Sequence, residues 1–120
     1  MFGIMRAGLI GAASSPGYTE DEMVHAFKTA GCKLIICSLS ALENVRKAAK
    51  ILSISEDKIV ILDGDFEGFR SGKGLIELAR RTGKDGQVKS FQIPEGKLSS
   101  EVCTLLCFSS GTTGLPKAVS

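Results

Sequence analysis

Long apolar runs are missing from this 120-residue chain: stretches such as Leu34–Cys37 and Leu105–Phe108 reach only four residues. A membrane-spanning helix needs roughly 18, so no membrane span is expected. A surplus of one charge is missing too. Fifteen Lys+Arg against thirteen Asp+Glu give +2, too little to mark nucleic acid or an anionic membrane as a partner. Histidine is down to His25 alone and no CxxC occurs, so no metal site is expected. What is present is ordinary for a folded chain: 43% hydrophobic and 23% charged residues argue against global disorder. The length suits one compact domain or a piece of something larger.

The four cysteines do not read as a disulfide framework. Cys103 and Cys107 share one face of a strand-like run, VCTLLCF, about 13 Å apart at about 3.3 Å per residue. A disulfide needs Cα atoms within about 7 Å. Cys32 and Cys37 flank a second strand-like run at odd spacing and face opposite ways. All four are expected to be free, small buried hydrophobes in a reducing compartment. An intracellular location is expected, cytoplasmic or peroxisomal, with the two unresolved.

The N-terminal stretch MFGIMRAGLIGAASSPG does not read as a secretory signal, because Arg6 sits inside the apolar stretch and Gly3, Gly8 and Gly11 interrupt it. A helix over Phe2–Ala7, a stop at Gly8 and a strand over Leu9–Ala12 are expected instead. Thr19-Glu20-Asp21-Glu22 fits a capping box. Met23, Phe27 and Ala30 then mark a helical stripe that Gly31 ends. Lys33–Cys37 and Lys58–Leu62 read as strands covered on both faces. Between them, Ser40-Ala41-Leu42-Glu43 suggests a second capping box, opening a helix with Leu42, Val45, Ala49 and Leu52 inward.

A loop is expected over Asp63–Gly74, and a helix over Leu75–Arg81 with Gly83 as its stop. An exposed connection follows, with a short strand near Val88–Ile93, and then a strand over Glu101–Phe108. The alternation of apolar strands with helices predicts an α/β fold, a mostly parallel sheet flanked by helices.

Two Gly/Lys clusters invite a phosphate-binding reading. Ser71-Gly72-Lys73-Gly74 fails the Walker pattern at two positions: Glu67 stands where a glycine is required, and Gly74 follows the lysine in place of Ser or Thr. It reads as a turn before a helix. The second cluster follows a strand and holds four hydroxyls, two glycines and Lys117 within nine residues. Gly111 and Gly114 let successive N–H groups converge on one anion. Ser109, Ser110, Thr112 and Thr113 can donate to phosphate oxygens, and Lys117 adds a point charge. A polyphosphate-binding loop is favoured over an ordinary polar turn.

LCFSSGTTGLPK, Leu106 to Lys117, resembles the phosphate-loop signature of the adenylate-forming (AMP-binding) superfamily. That superfamily includes acyl-CoA synthetases, 4-coumarate–CoA ligases, luciferases and peptide-synthetase adenylation domains. The spelling is most similar to the acyl- and aryl-CoA ligase branch. Phe2–Thr19 looks like the family's helix, strand and Asn-Pro-x-Tyr-Thr turn, with Ser15 in place of the Asn. Ala118 stands where a Gly often follows the loop lysine.

The resemblance implies a partial AMP-binding domain over residues 1–120, with a phosphate-binding loop over 109–117. It implies ATP with Mg²⁺, a small carboxylic acid and coenzyme A as reactants. Ser109, Ser110, Gly111, Thr112, Thr113, Gly114 and Lys117 would be the ATP-contacting positions. The elements that hold adenine and ribose, the acyl pocket and the small C-terminal domain with its catalytic lysine would lie elsewhere in a longer protein. On that reading these 120 residues hold no catalytic residue and are inactive alone, with apolar surface exposed around the 102–108 strand. The alternative is a non-catalytic nucleotide-phosphate-binding or pseudoenzyme module.

Overall fold

A computed structural model describes residues 2–109 and 117–119. The elements are α1 (Phe2–Arg6), β1 (Gly11–Ala13), α2 (Glu20–Thr29), β2 (Ile35–Cys37), α3 (Leu42–Ile51), β3 (Ile59–Ile61), β4 (Arg70–Ser71), α4 (Gly72–Thr82), β5 (Leu105–Ser109) and β6 (Lys117–Val119). The fold is α/β with mostly parallel strand pairing, divided into two three-stranded sheets. One has the order β1-β5-β6 and the other β2-β3-β4. Among the described residues only the β5–β6 pair is antiparallel.

The core lies between the second sheet and the pair α2 and α3. Met23 of α2, Leu42, Val45, Ala48 and Ala49 of α3, and Ile35, Ile59 and Ile61 of the strands form one buried cluster. The alanines let the two helices approach each other and the sheet closely, and Ile59 and Ile61 are fully buried. α2 starts as its sequence dictates. Glu22 N–H donates to Thr19 Oγ1 while Thr19 N–H donates to Glu22 Oε2 at 2.8 Å, closing the capping box.

The second expected capping box is absent. A 3₁₀ turn, Leu39–Ala41, leads into α3, and Ala41 caps it without a side-chain bond. The reason lies 24 residues downstream: Asp63 Oδ1 accepts from Leu39 N–H at 2.7 Å and winds the entry tightly. Ser40 Oγ instead lies 2.9 Å from Ser38 Oγ.

Other boundaries shift for comparable reasons. Within the expected 63–74 loop, β4 pairs with β3, and Ser71 caps α4 by accepting from Gly74 N–H at 3.1 Å. No strand forms over Val88–Ile93; Phe91 N–H donates to Arg6 O at 2.8 Å, which ties that segment to α1. Gly8 makes this approach possible. Its φ is +71°, and a Cβ there would lie 2.7 Å from the Phe91 ring. A 3₁₀ turn at Ser99–Glu101 shortens the last expected strand to β5.

Strand burial corrects the double-cover expectation for Lys33–Cys37. Ile59, Val60 and Ile61 are all buried in the central β3, but β2 is an edge strand and Ile36 is 48% exposed. Within the 102–108 segment, Val102, Leu105, Leu106 and Phe108 are only half-buried.

The cysteines are free, but the expectation that all are buried fails for two of them. Cys37 is buried and Cys32 half-buried, whereas Cys103, which precedes β5, and Cys107 are exposed. Burial pushes the Cys32 and Cys37 thiols up, and the Asp63 charge adds to the effect at Cys37. Near pH 8 the thiolate is therefore suppressed at these two. With a maleimide, Cys103 and Cys107 are expected to react at least about tenfold faster than Cys37. Mass-mapped labelling of the native protein checks this, and equal rates at Cys37 and Cys107 would contradict the packing described.

Candidate phosphate-binding hairpin

β5 and β6 form the two arms of a hairpin. Cys107 pairs with Val119, Phe108 with Ala118 and Ser109 with Lys117. The 109–117 segment thus leaves and returns to the sheet at one place, with Ser109 and Lys117 side by side at its root. Ser110, Gly111, Thr112, Thr113 and Gly114, the remaining sequence-derived positions, lie outside the described residues. β5 runs parallel to β1, so the segment departs from the carboxyl ends of both strands. Open parallel sheets bind ligands at that end.

Strand alternation divides the hairpin into two faces. Cys107, Ser109, Lys117 and Val119 share one, and all four are exposed. Among the described residues Lys117 makes no ion pair, so its charge is uncommitted at the root of a hydroxyl-rich segment. Phe108 takes the other face. It lines a cleft of about 300 Å³ with Ala12, Ser14 and Ser15, Met23 and Phe27 of α2, and Ile36. Sequence reading missed both the return strand and this role of Phe108. The signal available was the alternation within Leu105–Ser109, obscured because four consecutive apolar residues hide which face is which.

A larger groove of about 630 Å³ lies elsewhere, against the end of α3. Its cations are largely spent: Arg46 pairs with Glu56 at 2.7 Å and Lys47 with Glu43 at 2.9 Å. The carbonyl end of α3 also repels anions. It does not compete with the hairpin as a phosphate site. Among the described residues no cluster of three or more His, Cys, Asp or Glu could hold a metal ion, and no helix is long and apolar enough to cross a membrane.

Acyl-CoA ligase azaF of Aspergillus niger is 29% identical over 99% of this chain and 22% of its own length. The 4-coumarate:CoA ligase 1 of Petunia hybrida is 30% identical over 99% and 20%. The chain therefore spans about a fifth of the length of these relatives. Among solved structures, a natural red-emitting luciferase from Phrixothrix hirtus superposes with a TM-score of 0.68 at 28% identity, over 93% of this chain and 26% of the luciferase. Mycobacterium smegmatis MbtA gives 0.60 at 25%, over 98% and 20%. The AMP-binding enzyme family matches residues 1–120 in full, and the chain belongs to that family.

Proposed function

We propose that this chain is the phosphate-binding portion of an ATP-dependent, AMP-forming carboxylate–CoA ligase. The observation that carries the reading is the hairpin, which sets Ser109 and Lys117 against each other at the two ends of the 109–117 segment. The similarity to acyl-CoA and 4-coumarate–CoA ligases supports the same reaction class.

In the first half-reaction a substrate carboxylate oxygen attacks the α-phosphorus of ATP. The bond to the bridging oxygen breaks, and pyrophosphate leaves with the electron pair. In the second, the coenzyme A thiol gives up its proton and attacks the acyl carbon, and AMP departs as the thioester forms. The role of residues 109–117 is to hold the β- and γ-phosphates, which become the leaving group. Ser109 donates from its hydroxyl and Lys117 supplies positive charge, with Ser110, Gly111, Thr112, Thr113 and Gly114 completing the cradle. This is electrostatic stabilisation of charge that builds on the leaving group. Mg²⁺, supplied with the nucleotide, would share the charge of its phosphates. Free thiols fit a reducing compartment, so an intracellular location belongs to the same proposal.

Carboxylate-dependent exchange of labelled pyrophosphate into ATP tests it. A protein extended past Ser120 to the length of the relatives is expected to catalyse the exchange, and residues 1–120 alone are not. No exchange by the extended protein with any aryl or fatty acid, while ATP still binds, would favour a non-catalytic nucleotide-phosphate module instead.

A further inference from the structure

We propose that the cleft between β1 and β2 is a binding site for a small uncharged aromatic molecule. α2 carries the chain from β1 to β2, yet β1 pairs with β5 and β2 with β3. The cleft opens where these two sheets part, and residues of both line it. Ser14 directly follows β1 and Ser38 directly follows β2. Both line the cleft, which therefore lies at the carboxyl ends of parallel strands, where open α/β sheets take their ligands.

The cleft has both depth and access. Met23, Ile35 and Cys37 line it and belong to the buried core cluster, so its floor is part of the packed interior. Ala12, Ser14 and Pro16 also line it and are exposed, which leaves a way in from solvent. Ala26 of α2 and Ala30, its C-cap, are small residues that leave room beside the helix. The volume of about 300 Å³ is at the lower end for ligand pockets. An apolar cavity of about 150 Å³ holds benzene, so one ring or two fused rings fit here.

The lining sets the chemistry. Among the described residues no Asp, Glu, Lys, Arg or His lines this cleft, whereas the groove at the end of α3 is lined by five charged side chains, Glu43, Arg46, Lys47, Lys50 and Glu56. An ionised carboxylate or phosphate would lose its water in the cleft and meet no cation there. The one outside charge that acts on Cys37 is that of Asp63, and its negative sign opposes an anion further. Phe27 and Phe108, with Met23, Cys32 and Cys37, bring two aromatic and three sulfur residues to one wall. Aromatic rings pack favourably against both kinds of group. The serines add hydroxyls that can hydrogen-bond a ring N–H or O–H.

The test follows hydrogen exchange in a protein extended past Ser120, with indole as the neutral probe and benzoate as the charged one. Neither ATP nor coenzyme A is present, so the result stands apart from adenylation. Indole is titrated through the low-millimolar range, the affinity expected of a ligand of about nine heavy atoms. Exchange in peptides spanning 12–16 and 32–38 is expected to slow at least about fivefold, while peptides over α4 stay unchanged. Benzoate leaves all of these peptides unchanged. Ala30→Leu, which fills the cleft from the C-cap of α2, abolishes the indole effect. If that variant does not fold, Ala12→Leu fills the cleft from its exposed side and decides by the same criterion. Unchanged exchange at 12–16 and 32–38 in indole would overturn the proposal. So would equal slowing by benzoate, or an indole effect that survives the filling substitution.

Discussion

Replacing Lys117 with alanine in a protein extended past Ser120 is expected to slow adenylation by about ten- to a thousand-fold, the range for losing one preorganised charge-stabilising donor. The expectation follows from where Lys117 sits. It begins the return strand opposite Ser109, exposed and without an ion pair among the described residues. Positive charge there has no visible structural duty, so its removal should cost catalysis more than stability. The effect should also be uneven. In the reaction proposed above, pyrophosphate would carry the β- and γ-phosphates away after the first half-reaction, so thioester formation from supplied acyl-adenylate should suffer much less. Separate rates for the two half-reactions check this. Equal losses in both would remove the loop from the role assigned to it.

Truncation of Ile61 to alanine is expected to cost about 2–5 kcal/mol, the range for a large aliphatic side chain removed from a packed core. Ile61 is fully buried, pairs with Cys37 on one side and Ser71 on the other, and belongs to the single cluster beneath α2 and α3. Small domains have only about 5–15 kcal/mol in total, so a loss of this size reaches every element resting on β3. The neighbouring Leu62 provides the control. It is 68% exposed, and Leu62→Ala should stay within about 0.5 kcal/mol. Hydrogen exchange of the β2 and β3 amides measures both: protection should fall by more than about thirtyfold in Ile61→Ala and hardly change in Leu62→Ala. Similar losses in the two variants would contradict the core described.

Where local chemistry governs the backbone, the sequence was readable. Thr19 and Glu22 are three residues apart and satisfy each other whatever lies beyond them, so their capping box appears as written. Gly8 and Gly83 stop helices because each adopts positive φ. The signature at 106–117 was legible as chemistry, and it led to the family that matches the chain.

Partners distant in sequence were not readable. Ser40 has the same cap pattern as Thr19, yet Asp63 takes the nearby Leu39 N–H and winds a 3₁₀ turn instead. The pattern at Val88–Ile93 suits a strand, but Phe91 spends its N–H on Arg6 O and finds no ladder. Ile36 has the composition of a buried strand residue and lies exposed because β2 is an edge, a property of sheet order that local sequence does not carry. The hairpin belongs here too. Lys117–Val119 looks like the tail of a loop until it is seen paired with β5.

Hydrogen exchange across the hairpin, in a protein extended past Ser120, tests the central claim most directly. If residues 109–117 grip the β- and γ-phosphates, ATP and tripolyphosphate should each increase protection in peptides spanning 105–119. AMP, which lacks both phosphates, should leave those peptides unchanged. Protection by AMP equal to that by ATP, or protection confined to β2 and β3 with none over 105–119, would contradict the account.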